Sequence, residues 1–197
     1  MAQGWHVRAG RRTLSPLGER GAWAAVLTLL FLLAAPAAAQ VPVPDDYRMD
    51  HYRAPTPAAL PGGTAVDLEQ TQRLIQANKV WLVFVESAER AVAPPRPWLV
   101  AAPKTVIPGS VWLPNVGKGA PEADEVAYFK TRLDAMRAER PGAGFLFYCY
   151  IDCWVSWNAA LRAIRLGYGP VYWYPDGIDG WMLEGLPTER VRPAGQP

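Results

Sequence analysis

The stretch "FYCYIDCWVSWNAALRAI", from Phe147 to Ile164, contains both cysteines of the 197-residue chain. An apolar run precedes Cys149. After Cys153 the pattern turns helical, with Trp157, Ala160, Leu161 and Ile164 at positions i, i+3, i+4 and i+7. The segment therefore reads as strand, cysteine loop, helix, with Gly167 ending the helix. Backbone N–H groups of a tight loop, together with the first turn of the following helix, favour negative charge at the loop centre. A thiolate held there has a lowered pKa and becomes a nucleophile. Cys149 is expected to attack a disulfide or sulfane sulfur, and Cys153 to resolve the product by closing a Cys149–Cys153 disulfide. A fixed structural disulfide is the competing reading, contributing only about 2 kcal/mol for so short a loop.

The rest of the loop has its own expectations. Ser156 is placed to cap the helix, and Asp152 to act as a cap or as a local proton acceptor. Tyr150 and Trp154 suit an aromatic rim for a partner protein or a flat ligand. Ile151 and Val155 complete the loop, and Arg162 and Arg165 are expected on the solvent face of the helix. Haem attachment is excluded because Trp154 stands where C-x-x-C-H needs histidine. A metal site within one chain lacks ligands, since the two histidines are His6 and His51.

Outward from the loop, strands and helices alternate. Thr64 to Val66 is a short strand; Asp67 with Gln70 forms a capping-box pair for a helix bearing Leu68, Thr71 and Ile75 on one face. Asn78 stops that helix, and Val80 to Val85 is a buried-type strand. "ESAERAVAPPRPWLVAAPKT" is a long proline-broken loop, followed by a strand at Val111 to Leu113. A helix opened by Pro121 carries Val126, Phe129, Leu133 and Met136 as its apolar stripe. Phe145 to Tyr148 and Val171 to Tyr174 are further strands, and "PDGIDGW" turns into a last short element. This order predicts an α/β fold with a doubly wound parallel sheet and helices on both faces. Sites in such sheets lie beyond the carboxyl ends of the strands, where Cys149 falls.

Half of the residues are hydrophobic, so a packed core needs no metal or disulfide, and a net charge of +2 argues against nucleic acid or an anionic membrane as partner. Arg8, Arg11 and Arg12 precede an apolar run from Ala22 to Ala35 and then "AAAQ" at Ala37 to Gln40. That is the order of a signal peptide, and the run is short for a membrane span. Residues 1–39 are expected to direct export and be removed, with a retained anchor as the alternative. Residues 40–61 read as an irregular entry segment, 62–187 as the domain and 188–197 as a tail.

Three stretches in order resemble the rhodanese-like family: "VDLEQTQRLIQANKVWLVFV", "IPGSVWLPN", and the cysteine loop running to "YWYPDGIDGW". Within it, Cys149, Cys153, Trp154, Ser156, Trp157 and Asn158 are most similar to the PQQ-dependent catabolism-associated CXXCW motif proteins, here with three residues between the cysteines. The resemblance implies a rhodanese-like fold and an exported, periplasmic accessory of quinoprotein alcohol oxidation, with a quinoprotein dehydrogenase or a cytochrome c as partner. It assigns no cofactor to the chain itself beyond association with a PQQ-dependent system, and no membrane contact beyond the signal segment. Tyr150, Asp152 and Trp154 stand where active rhodaneses carry Arg or Lys, and Phe84 where they carry an acid, so thiosulfate transfer is not the expected activity. Sulfur-carrier and thiol-redox chemistry at Cys149 both remain open, and the alternative is a non-catalytic binding module using the aromatic loop.

Overall fold

The structure is a computed structural model describing Met1 and residues 41–196; the expected export segment lies outside the described residues. Its centre is a five-stranded, wholly parallel sheet. The strands are β1 (Thr64–Ala65), β2 (Val80–Phe84), β6 (Ser110–Trp112), β7 (Gly144–Tyr148) and β8 (Val171–Tyr174), in the spatial order β1-β8-β7-β2-β6. Helices α1 (Leu68–Gln76), α2 (Ala123–Glu139), α3 (Trp154–Arg165) and α4 (Gly177–Leu183) connect or follow them. The α/β class with a doubly wound parallel sheet is thus what the chain adopts.

Period-two alternation decides which helix covers which face. Val83, Val85, Phe145, Phe147 and Trp173 point to one face, where they pack with Phe129 and Leu133 of α2 and Trp157 and Ala160 of α3. Leu82, Phe84, Leu146, Tyr148 and Tyr174 point to the other, against Ile178 and Trp181 of α4 and the apolar side of α1. Both faces are dry, which is why β2 and β7 are unbroken apolar runs rather than alternating ones. The Asp67–Gln70 capping box of α1 is present in full.

The proline-broken segment is more ordered than its sequence suggests. It holds a small hairpin, β3 (Glu89–Arg90) with β4 (Trp98–Leu99), and a strand β5 (Lys104–Val106). β5 pairs with β9 (Glu189–Val191), so residues expected as a tail add a two-stranded ribbon. Arg162 is buried rather than on the solvent face: it donates to the carbonyls of Val116, Lys118 and Gly119, and its guanidinium lies 4.3 Å from the Tyr47 ring centroid. The helix has no free face there, because the 116–119 turn and the 45–54 segment both lie on it. Arg165 is exposed and pairs with Asp46.

Candidate functional site: a buried cysteine pair

Three chain segments meet at the carboxyl edge of the sheet. β2 runs out into Val85, Glu86 and Ser87; β7 runs out into the cysteine loop; β8 runs out into α4. The loop is anchored on both sides by backbone bonds. Val85 N–H donates to the Tyr148 carbonyl (3.0 Å), and Ile178 N–H to the Cys149 carbonyl (2.8 Å). The latter approach is close: Gly177 has φ +57°, and a Cβ there would lie 2.4 Å from the Cys149 carbonyl oxygen. Only glycine meets both conditions without strain.

A third anchor comes from a segment whose sequence shows no regular pattern. Residues 52–54 lie antiparallel to 152–154, with Arg53 bridged to Cys153. Ala54 N–H donates to the Asp152 carbonyl (3.0 Å), and Trp154 N–H to the Tyr52 carbonyl (2.8 Å). The strap is held further along by Asn158 of α3. Its amide donates to the carbonyls of Arg48 (2.8 Å) and Gly117 (3.0 Å), and its Oδ1 accepts the Arg48 N–H (2.9 Å).

The two cysteines are each almost fully buried, with their Sγ atoms 2.7 Å apart. That is about 0.7 Å beyond a disulfide bond length, so closing or opening the bond needs little backbone motion. Both line a cavity of about 470 Å³, together with Tyr52, Arg53, Glu86 and Tyr150. The Glu86 carboxylate accepts from the Tyr150 hydroxyl (3.1 Å) and pairs with Lys104 (2.9 Å).

The electrostatics distinguish the two sulfurs. Cys153 is the N-cap residue of α3. Its thiol is lowered to about 6 by the hydrogen bond from Cys149, with the N–H groups of Val155 and Tyr150 and the Arg53 side chain adding to the effect against burial. Burial, then the neighbouring Cys153 sulfur, pushes Cys149 up. Of the two sulfurs, the one at the helix end is thus the more easily deprotonated. Burial, followed by the Glu86 charge, raises Tyr150 as well, so its hydroxyl remains a donor.

The remaining loop residues divide between cavity and scaffold. Tyr150 and Val155 line the cavity. Ile151 and Asp152 face solvent; Ile151 N–H is occupied by the Asp179 carboxylate (3.0 Å). Asp152 neither caps the helix nor contacts a sulfur: it takes a left-handed turn (φ 53°), and the cap falls one residue later. Ser156 is not the cap either. It is buried in the first turn, donating to the Cys153 carbonyl (3.1 Å) and accepting from Trp173 Nε1 (3.0 Å). Trp154 is no rim residue; it is buried, edge-on to Trp157, with Nε1 on the Pro55 carbonyl. Among the described residues no group of three His, Cys, Asp or Glu side chains is placed to hold a metal.

Tyr52, Arg53 and Glu86 are site residues the sequence did not single out. The strap contacts α3 across about a hundred positions, and nothing local to Arg53 announces it.

No protein-family model matches the sequence, and no curated protein matches it. Among solved structures the chain is similar to the BH2092 protein from Bacillus halodurans, with 20% identity and a TM-score of 0.44 over 64% of this chain and 77% of that one. It is similar to a thiosulfate sulfurtransferase from Pseudomonas aeruginosa, with 19% identity and a TM-score of 0.45 over 66% of this chain but 21% of that enzyme. A human single-domain sulfurtransferase gives 20% identity and a TM-score of 0.40, over 62% of this chain and 97% of that one. The α/β class of the present chain rests on its own parallel sheet, with the cysteine loop at the carboxyl end of β7.

Proposed function

We propose that the protein is a rhodanese-like thiol protein that exchanges disulfides or carries sulfur at the Cys149/Cys153 pair. The observation that carries this reading is the 2.7 Å separation of two sulfurs that line one cavity, one of them at a helix N-terminus. The Cys153 thiolate attacks one sulfur of an incoming disulfide, whose S–S bond breaks and whose first half leaves as a thiolate. Cys149 then loses its proton to the leaving group or to water and attacks Cys153 Sγ. The mixed disulfide breaks, the second half leaves, and Cys149–Cys153 forms. The incoming disulfide gains the two electrons that the cysteine pair loses. With a sulfane donor the same attack places the transferred sulfur on Cys153. Cys149 then attacks Cys153 Sγ and expels hydrosulfide as the Cys149–Cys153 disulfide forms, or an acceptor thiolate attacks the outer sulfur and the Cys153 thiolate leaves.

The biological setting of this reading follows the sequence resemblance: an exported, periplasmic accessory of PQQ-dependent alcohol oxidation, working beside a quinoprotein dehydrogenase or a cytochrome c. The competing reading, a non-catalytic binding module, draws on the cavity walls formed by Tyr52 and Tyr150. Trapping free thiols in protein taken from its native compartment, followed by mass measurement of the Cys149–Cys153 peptide, separates the two. A persulfide, or a mixture of thiol and disulfide, supports exchange chemistry. A disulfide that resists mild reductant refutes it and turns attention to the cavity as a holding site. Sequencing the N-terminus of the same sample tests export, which predicts a start near Gln40.

A further inference from the structure

The cysteine loop carries no basic residue of its own: Tyr150, Ile151 and Asp152 separate the two sulfurs. The cavity nevertheless contains a cation, delivered by the strap. Arg53 is bridged to Cys153 through its backbone, is solvent-exposed, and its guanidinium lies 5.1 Å from the Tyr150 ring centroid at the cavity wall. Its side chain bears on the Cys153 sulfur, and among the described residues it has no carboxylate partner within ion-pair distance, unlike Arg48, Arg90, Arg96 and Arg165. The one carboxylate in the lining, Glu86, is already matched by Lys104 and the Tyr150 hydroxyl. Asp152 and Asp179 lie outside the lining, and Asp179 is committed to the Ile151 amide.

We infer that Arg53 is the specificity-determining residue of this cavity: the strap places its guanidinium to receive the anionic end of a small disulfide whose sulfur reaches the cysteine pair. The inference rests on the exchange reading above and adds the charge class of the substrate. A carboxylate-bearing disulfide is drawn in by Arg53, and an ammonium-bearing one is repelled. Two unit charges roughly 5 Å apart in water-like surroundings change an encounter by about fourfold, so anion and cation differ by on the order of tenfold. Salt shrinks the difference. The strap therefore does more than brace the loop: it supplies the charge that the loop lacks.

The test uses three aliphatic disulfides that differ mainly in their end groups: dithiodipropionate (anionic), 2-hydroxyethyl disulfide (neutral) and cystamine (cationic). Oxidation of the reduced pair is followed for the intact protein and for Arg53→Gln and Arg53→Lys at low ionic strength. The readout is the ratio of the anionic to the cationic rate, each first divided by the rate of the same disulfide with free 2-mercaptoethanol, so that differences between leaving groups and any change in the amount of thiolate cancel. The ratio is expected near tenfold in the intact protein, near one in Arg53→Gln, and largely restored in Arg53→Lys. An intact protein without anion preference, or a preference that survives in Arg53→Gln, overturns the inference while leaving exchange chemistry standing. Failure of all three disulfides, the neutral one included, overturns the exchange reading and this inference with it.

Discussion

Asn158→Ala is the perturbation that connects the fold to the cysteine pair most directly. Asn158 is fully buried, and its amide makes three hydrogen bonds that join α3, the 116–119 turn and the strap. Truncation removes all three. The Gly117 carbonyl is buried and is left without that donor, which costs about 1–3 kcal/mol. The Arg48 N–H and carbonyl lie nearer solvent and regain water, so their loss adds roughly 1 kcal/mol together. The sum, about 3 kcal/mol, corresponds to a fall in Tm of roughly 6–12 °C for a domain of this size. Thermal unfolding followed by circular dichroism reads that directly. The loss also frees the strap upstream of residues 52–54, whose bonds hold the cysteine loop, so the Cys153 thiolate should appear at higher pH in this variant. Thiolate absorbance at 240 nm measures that second effect. A variant that melts with the parent, or one that melts early with an unmoved thiolate titration, would refute the argument that the strap braces the site.

Other consequences follow from the same geometry. Alkylation of Cys153 by neutral iodoacetamide should rise with pH around 6 and level off before the range of an ordinary thiol, because its folded pKa is lowered. Cys149 should remain slow, because its pKa is raised; peptide mass mapping across pH 5–9 checks both. For stability the sign follows from the lowered group: Cys153 contributes fully above its unfolded pKa and loses that contribution as pH falls through about 6. Chemical denaturation of the intact protein against Cys153→Ser should show the gap narrowing as pH falls. Gly177→Ala forces a side chain into a left-handed backbone position and against the Cys149 carbonyl, costing about 1–2 kcal/mol from the backbone alone. It should slow disulfide closure by stopped-flow more than it lowers Tm. Arg162→Met leaves the carbonyls of Val116, Lys118 and Gly119 without their donor, for a loss of roughly 2–4 kcal/mol in urea unfolding.

What the sequence made legible was local. The Asp67–Gln70 box, the buried run of β2, the stripe of α2 and the strand–loop–helix around the cysteines are each specified by neighbours within a few positions. The errors arose where distant chain decides. Ser156 has the chemistry of a cap, but the Tyr52 carbonyl takes the Trp154 N–H, so the helix begins three residues earlier and Ser156 turns inward to Trp173. The same early start puts Cys153, rather than Cys149, at the helix end. Arg162 reads as a surface residue by type, yet three carbonyls of the 116–119 turn surround it. Arg53 sits in a segment with no periodicity, and only the fold reveals that it reaches the site.

The central claim is that the pair exchanges disulfides with Cys153 attacking and Cys149 resolving. Single variants treated with 2-hydroxyethyl disulfide test it most directly, because removing the resolving cysteine stalls the reaction at the mixed disulfide. Mass spectrometry should find the Cys149→Ser protein carrying one adduct on Cys153, and the Cys153→Ser protein largely unmodified near neutral pH. An adduct that accumulates on Cys149 while Cys153 stays free, or no adduct on either variant, would contradict the account.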